Sequence, residues 1–186
     1  AVYTTLGHLL YIDHVIAAYT KGSIKPQIRG ILRLGVCQVL YMGVPDSAAC
    51  NESVKLAKEI GKGPLSGFVN GVMRNICRNK DNPPPLPGEP VKRLSIQYSY
   101  PEYLVKEYMG QYGAGFTEAM LSAMSDPGCM TVRAQYPYTS EQLEKALEER
   151  SIGFSRGRIV EDAFKLEKGF DVTKEPLFTE GRITVQ

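Results

Sequence analysis

The stretch that decides the fold is GFVNGVMRNICRN, residues 67–79. Phe68, Val69, Val72, Met73 and Ile76 recur at helical spacing, which predicts an amphipathic helix running from about Pro64 to Arg78. Gly67 and Gly71 each cost ~1 kcal/mol of helix propensity. Four residues apart, they lie on one side, and the expected return is close approach of a neighbouring helix. Asn70 in mid-helix is expected to be buried and bonded to a loop backbone, because an unsatisfied amide costs ~1–3 kcal/mol. Arg74 and Arg78 share a face near the end of the helix. Cations there suit the helix dipole, and what else they serve is left open by spacing alone.

Upstream the pattern stays helical. KPQIRGILRLGVCQVLYM, residues 25–42, sets Ile28, Ile31, Leu32, Val36, Val39 and Leu40 on one face and Lys25, Arg29 and Arg33 on another. In residues 44–63, Pro45, Asp46 and Ser47 are start signals, Val54, Leu56, Ala57 and Ile60 are the apolar set, and Gly61 and Gly63 are a stop. The Gly61-Lys62-Gly63 turn reads as an interhelix loop whose N–H groups also suit a phosphate. The chain opens already helix-periodic through Leu6, Leu9, Leu10 and Ile16. That opening suggests a cut made within a domain.

RNKDNPPPLPGEPVKR, residues 78–93, has too many prolines to continue a helix or a central strand, and it predicts a stiff connector over 81–93. Charge changes across it. Residues 1–93 hold 12 Lys or Arg against six Asp or Glu, net +6, whereas the rest hold 10 against 14, net −4. A basic module facing a polyanion produces such asymmetry, and so do scattered surface lysines. Beyond the connector, YPEYLVKEYMGQYG and FTEAMLSAM read as short helices using Leu104, Val105, Tyr108 and Met109, then Phe116, Met120, Leu121 and Met124. MTVRAQY alternates as a strand with Arg133 outward, Thr139 and Gln142 form a capping box, and Ile183 and Val185 alternate again. The fold class expected is mainly α: a helical bundle over 1–80, the connector, and a small α+β domain over 94–186.

No apolar run of this 186-residue chain approaches the ~20 residues of a membrane span. The four cysteines have neither C-x-x-C spacing nor the density of a disulfide framework, which suggests structural thiols in a reducing cytoplasm. His8 and His14 are too few and badly spaced for a metal site.

LRLGVCQVLYMGVPDSAACNESVKLAKEIGKGPLSGFVNGVMRNICR, residues 32–78, resembles the helical RNA-binding domain of the antitermination factor NusB. With VMRNICR, the Pro-rich connector, LSIQYSYPEYLVKEYMGQYG, TVRAQYPYTSEQLEKALEERSI and the terminal FTEGRITVQ added, the whole is similar to the N-terminal part of Sun (RsmB) type small-subunit ribosomal RNA cytosine-C5 methyltransferases. The resemblance implies RNA recognition, a catalytic domain as partner, and S-adenosylmethionine as the cofactor of the parent protein. NusB-like domains carry helices before the one that opens this chain, so the resemblance also implies bared apolar residues such as Leu6, Leu9 and Leu10 and hence dimers. Such chemistry needs a Cys thiolate, in that family presented in a Pro-Cys pair, and a Gly-rich loop after a strand. This sequence has no Pro-Cys pair, and GQYGAG at 110–115 has the wrong order for G-x-G-x-x-G, so the chain is expected to be non-catalytic and to hold no cofactor. An adaptor that binds RNA and a ribosomal protein is the alternative function. Candidate RNA contacts are Lys25, Arg29, Arg33, Lys62, Arg74, Arg78, Lys80, Arg93 and Arg133. For Arg133 the surrounding VRAQ departs from the family's Arg-Val-Asn element at Ala134 and Gln135.

Overall fold

The computed structural model describes the chain except residues 126, 127, 158, 161, 168–170 and 186 and the side chain of residue 173. Contacts divide it into two compact units, Ala1–Ser125 and Asp126–Gln186.

The first unit is built from helices α1 (Val2–Gly7), α2 (Leu9–Ala18), α3 (Pro26–Tyr41), α4 (Asp46–Glu59), α5 (Ser66–Arg78), α6 (Pro90–Tyr98), α7 (Glu102–Tyr112) and α8 (Ala114–Ser125). A 3-10 turn, Gly63–Leu65, precedes α5. The main core gathers Ile12 and Ile16 of α2, Ile28, Leu32 and Val36 of α3, and Val69, Met73 and Ile76 of α5. Helix α4 contributes small residues instead. Its buried positions are Ala49, Cys50, Ser53 and Ala57, while Ile60, expected on the apolar face, is exposed. The small face follows from how closely α3, α4 and α5 cross. A Cβ built on Gly35 of α3 would stand 2.5 Å from Ser53 Oγ and 2.8 Å from Met73 Cε. Gly35 is therefore the close-approach glycine. Gly67 and Gly71 are exposed, with nothing within 4 Å of a Cβ on either.

The polyproline stretch leads back along the bundle: Pro85 O lies 3.1 Å from His14 Nε2 of α2. The connector also ends sooner than expected, because α6 begins at Pro90. A proline is tolerated at the first helical position, where its missing N–H has no intrahelical partner, and the Glu89 carboxylate caps by accepting from Val91 N–H (3.0 Å) and Lys92 N–H (2.7 Å). Helices α6, α7 and α8 close a small core of Leu94, Val105 and Leu121. Phe116 and Met124, read as core residues of α8, are 60% and 53% exposed, and Thr117 is buried beside Leu121 instead. Ser99 after α6 has a left-handed backbone (φ 58°), and its Oγ accepts from Tyr11 N–H at 3.3 Å. These ties place residues 90–125 with the first unit, although they follow the proline-rich stretch.

The second unit is an antiparallel sheet of strands β1 (Thr131–Ala134), β2 (Phe154–Arg156), β3 (Ala163–Leu166) and β4 (Ile183–Val185) in the order β2-β3-β1-β4. Helices α9 (Ser140–Glu149) and α10 (Pro176–Thr179) complete it. Val132, Phe164, Leu166 and Ile183 of the sheet and Leu143 and Leu147 of α9 share one core. Alternation sends Thr131, Arg133, Ser155, Lys165 and Thr184 to the other face. The capping box expected at Thr139 is present: its Oγ1 accepts from Gln142 N–H, and the Gln142 side chain accepts from Thr139 N–H. Among the described residues no helix is long and apolar enough to cross a membrane.

Candidate nucleic-acid interface

Helix α5 buries Val69, Val72, Met73 and Ile76, so positions 67, 71, 74 and 78, repeating at four, three and four residues, form one solvent-facing stripe. The two glycines of that stripe leave its N-terminal half bare of side chains, and the two arginines arm its C-terminal half. Asn70, expected to be buried and bonded, is half-buried and has no hydrogen bond among the described residues. A mid-helix amide open to water needs none from the protein.

Arg74 and Arg78 rim a groove of about 240 Å³ whose other walls are Asp46, Ser47 and Asn51 of α4 and the thiols Cys50 and Cys77. Helix α4 enters this groove by its first turn, after Pro45, and no side chain caps its free N–H groups. Asp46 would spoil an anion site, but both its oxygens lie 3.0 Å from Lys80 Nζ. The thiols add no charge either. Their sulfurs are 3.7 Å apart, and burial together with the hydrogen bond to Cys50 pushes Cys77 up to about 12, so it stays protonated at neutral pH. Arg74 and Arg78 are exposed and form no ion pair among the described residues. The groove thus combines two uncompensated guanidinium groups with a helix N-terminus, an arrangement suited to phosphate oxygens.

The remaining candidates divide by what already holds them. The row on α3 is broken: Lys25 at its start is exposed and Arg29 is half-buried, but Arg33 donates to both oxygens of Asp13 on α2 (Nε–Oδ1 2.8 Å, Nη2–Oδ2 2.6 Å). Arg33 is a strut between helices. Arg93 is another, joining α6 to α8 through two 2.9 Å hydrogen bonds to Glu118. Lys62 is half-buried in its turn, and the turn offers fewer free donors than expected, since Gly61 N–H bonds to Lys58 O and Lys62 N–H to Ala57 O. Lys80 is held by Asp46, and Arg133 on the outer sheet face is held by Asp162 at 2.8 Å, both pairs exposed enough to exchange. Beside Arg133 on that face stands Lys165, exposed and without an ion pair among the described residues. The sequence reading missed it because β2 and β3 have no clean alternation.

His8 stacks on Tyr41 with ring centroids 3.8 Å apart, and burial lowers its pKa. Among the described residues no three His, Cys, Asp or Glu side chains group as metal ligands. The GQYGAG stretch is the junction of α7 and α8, turning at Gly113 (φ 78°), and follows a helix rather than a strand.

Residues 1–78 match the model of the NusB family, and residues 100–173 match that of the Methyltr_RsmF/B-like, ferredoxin-like domain. A NusB domain followed by an RsmF/B-like ferredoxin-like domain is consistent with the N-terminal region of Sun/RsmB-type proteins. The second match begins before α7, whereas packing joins α7 and α8 to the NusB unit. The chain is 32% identical over its full length to the probable ribosomal RNA small subunit methyltransferase B of Bacillus subtilis (strain 168), spanning 42% of that protein. The ribosomal RNA small subunit methyltransferase B of Vibrio cholerae is 28% identical over 84% of the chain, which spans 35% of it. The transcription antitermination protein NusB of Finegoldia magna is 43% identical over 28% of the chain and 39% of its own length. The chain therefore spans about two fifths of the length of these relatives. In fold it is similar to a solved structure described as the crystal structure of PH0851, with a TM-score of 0.73 at 19% identity, over 99% of the chain and 42% of that structure.

Proposed function

We propose that the chain is the RNA-recognition part of an S-adenosylmethionine-dependent ribosomal RNA (cytosine-C5) methyltransferase and holds its RNA by the phosphate backbone. One observation carries this reading: Arg74 and Arg78 are exposed, unpaired among the described residues, and flank the open N-terminus of α4. Two guanidinium groups and a set of backbone N–H donors position a folded RNA without reading its bases. In this division of labour methyl transfer belongs to a catalytic domain, a partner that the resemblance supplies. The cofactor belongs with that domain, because the glycine-rich GQYGAG stretch joins two helices and offers no strand-to-helix cradle. The reading places the protein in the cytoplasm, with its ribosomal substrate. It also keeps self-association through α1, where Val2, Tyr3 and Leu6 are exposed together, for light scattering to decide.

The test is filter binding of the purified chain to small-subunit ribosomal RNA hairpins across a salt series, with calorimetry against S-adenosylmethionine. We expect salt-dependent RNA binding and no cofactor binding. Micromolar cofactor binding, or no RNA binding at low salt, contradicts the proposal. A second reading, an adaptor that binds RNA together with a ribosomal protein, draws on the 43–44% identity to proteins named transcription antitermination protein NusB. It is distinguished by RNA binding that appears only when a ribosomal protein is added.

A further inference from the structure

The second unit carries a groove of about 370 Å³ where the turn after β1 meets the turn between α10 and β4. Tyr136 stands at its rim, 93% exposed. Also lining it, the Arg182 guanidinium lies over the Tyr138 ring, 5.6 Å from its centroid. Two flat surfaces therefore border the groove, an aromatic ring and a guanidinium already supported from behind. Arg182 is matched by Glu180, whose Oε2 lies 2.8 Å from its Nε in a pair exposed enough to exchange, so the lining has no net charge. The site is nearly neutral and so ill-suited to a phosphate. Its walls mix polar groups, Gln135, Gln142 and Glu180, with the flat apolar faces of Tyr136, Pro137 and Tyr138, a lining that suits a planar heterocycle better than a large aliphatic side chain.

The groove does have one uncommitted amide. Gln142 spends its side chain on the α9 cap, but the exposed Gln135 side chain has no hydrogen bond among the described residues. An amide pairs donor with acceptor on one edge, as a nucleobase does. The backbone around it is fixed: Gln135 N–H donates to Arg182 O at 2.8 Å, Tyr138 N–H to Gln135 O at 2.8 Å, and Tyr138 Oη–H to Gln142 O at 3.0 Å. The backbone on either side of Tyr136 is thus held, while the ring itself stands in solvent, open to a stacking partner.

We propose that this groove takes one unpaired nucleobase of the bound RNA, stacked on Tyr136 and contacted at its edge by the Gln135 amide. Stacked aromatics and guanidinium planes are how proteins hold bases of single-stranded loops and bulges. The inference rests on the RNA-recognition reading above and adds to it a second contact of different chemistry, one that is insensitive to salt.

The test uses the full chain and a ribosomal RNA hairpin carrying 2-aminopurine in its loop, with Tyr136→Ala and Tyr136→Phe variants and a matched hairpin abasic at the same position. Wild type and Tyr136→Phe should quench the fluorophore on binding, while Tyr136→Ala should not and should bind roughly 5- to 150-fold more weakly, the range for losing one stacked base. The salt slope should stay unchanged, and all three proteins should bind the abasic hairpin alike. If Tyr136→Ala binds as wild type does and still quenches, the nucleobase site is overturned, while salt-dependent binding leaves the phosphate reading standing and the groove to a protein partner. If wild type binds no hairpin, both fail together. Because Tyr136 is almost wholly exposed, loss of folding does not confuse the result.

Discussion

Replacing Arg33 with Gln separates a structural cation from an RNA-binding one. The guanidinium makes two charge-assisted hydrogen bonds to Asp13, at 2.8 Å and 2.6 Å, with the two side chains 30% and 24% exposed. A hydrogen bond to a charged group contributes about 1.5–3 kcal/mol when shielded, and exposed pairs contribute below about 1 kcal/mol. For a pair between these limits, the expected cost is about 1–3 kcal/mol. At about 3 °C per kcal/mol for a chain of this size, that lowers the melting temperature by about 3–9 °C. Thermal unfolding followed by circular dichroism measures it, and the double variant with Asp13→Asn should recover part of the loss, because no carboxylate is then left without its partner. The same Arg33→Gln protein should keep the wild-type salt slope for RNA. A variant that melts like wild type but binds RNA with a shallower slope would refute the assignment and return Arg33 to the interface.

The glycines give opposite expectations: Gly35→Val should destabilise by about 1–3 kcal/mol through the clash with Ser53 and Met73, whereas Gly67→Ala and Gly71→Ala should each stabilise by ~0.4–1 kcal/mol in urea unfolding. Cys77, raised from an ordinary 9.0 to about 12, keeps its proton in the folded state when the unfolded chain loses it. That contribution is complete below about pH 9 and is lost as pH rises toward 12, so stability should fall across this range, and less steeply in Cys77→Ala. Removing the α9 cap with Thr139→Val should cost ~0.5–2 kcal/mol and melt the second unit earlier, visible in amide exchange of residues 140–149.

The helices were legible wherever one face is strongly apolar and the ends carry turn chemistry, as at Asp46 and Thr139. Three things were not. The close-approach glycine was sought on α5, but crossing geometry is a property of three helices at once, and nothing local to Gly35 announces that Ser53 and Met73 face it. The proline-rich stretch reads as a boundary and does lie between the two family matches, residues 1–78 and 100–173, but it does not tell that packing carries the first unit on to Ser125, through an α6 that starts at Pro90 and packs on α2. Strands β2 and β3 are three and four residues long, too short for a period to stand out, and Lys165 went unseen with them. Of the candidate cations, spacing correctly put Arg74 and Arg78 on one exposed face. It carries no information about ion pairs with distant residues, so Asp13 for Arg33 and Glu118 for Arg93 appear only in the folded chain.

The central claim is that Arg74 and Arg78 hold RNA phosphates, and the most direct measurement is the salt dependence of binding for the Arg74→Gln, Arg78→Gln double variant. Each phosphate contact contributes roughly −0.7 to −0.9 to the slope of log affinity against log salt. The double variant should therefore bind a ribosomal RNA hairpin with a slope shallower by about 1.5, at a melting temperature nearly that of wild type, since exposed charges at a helix end contribute only ~0.3–1 kcal/mol. A wild-type slope and affinity together with a lowered melting temperature would show that the two arginines serve the end of α5 and not an RNA.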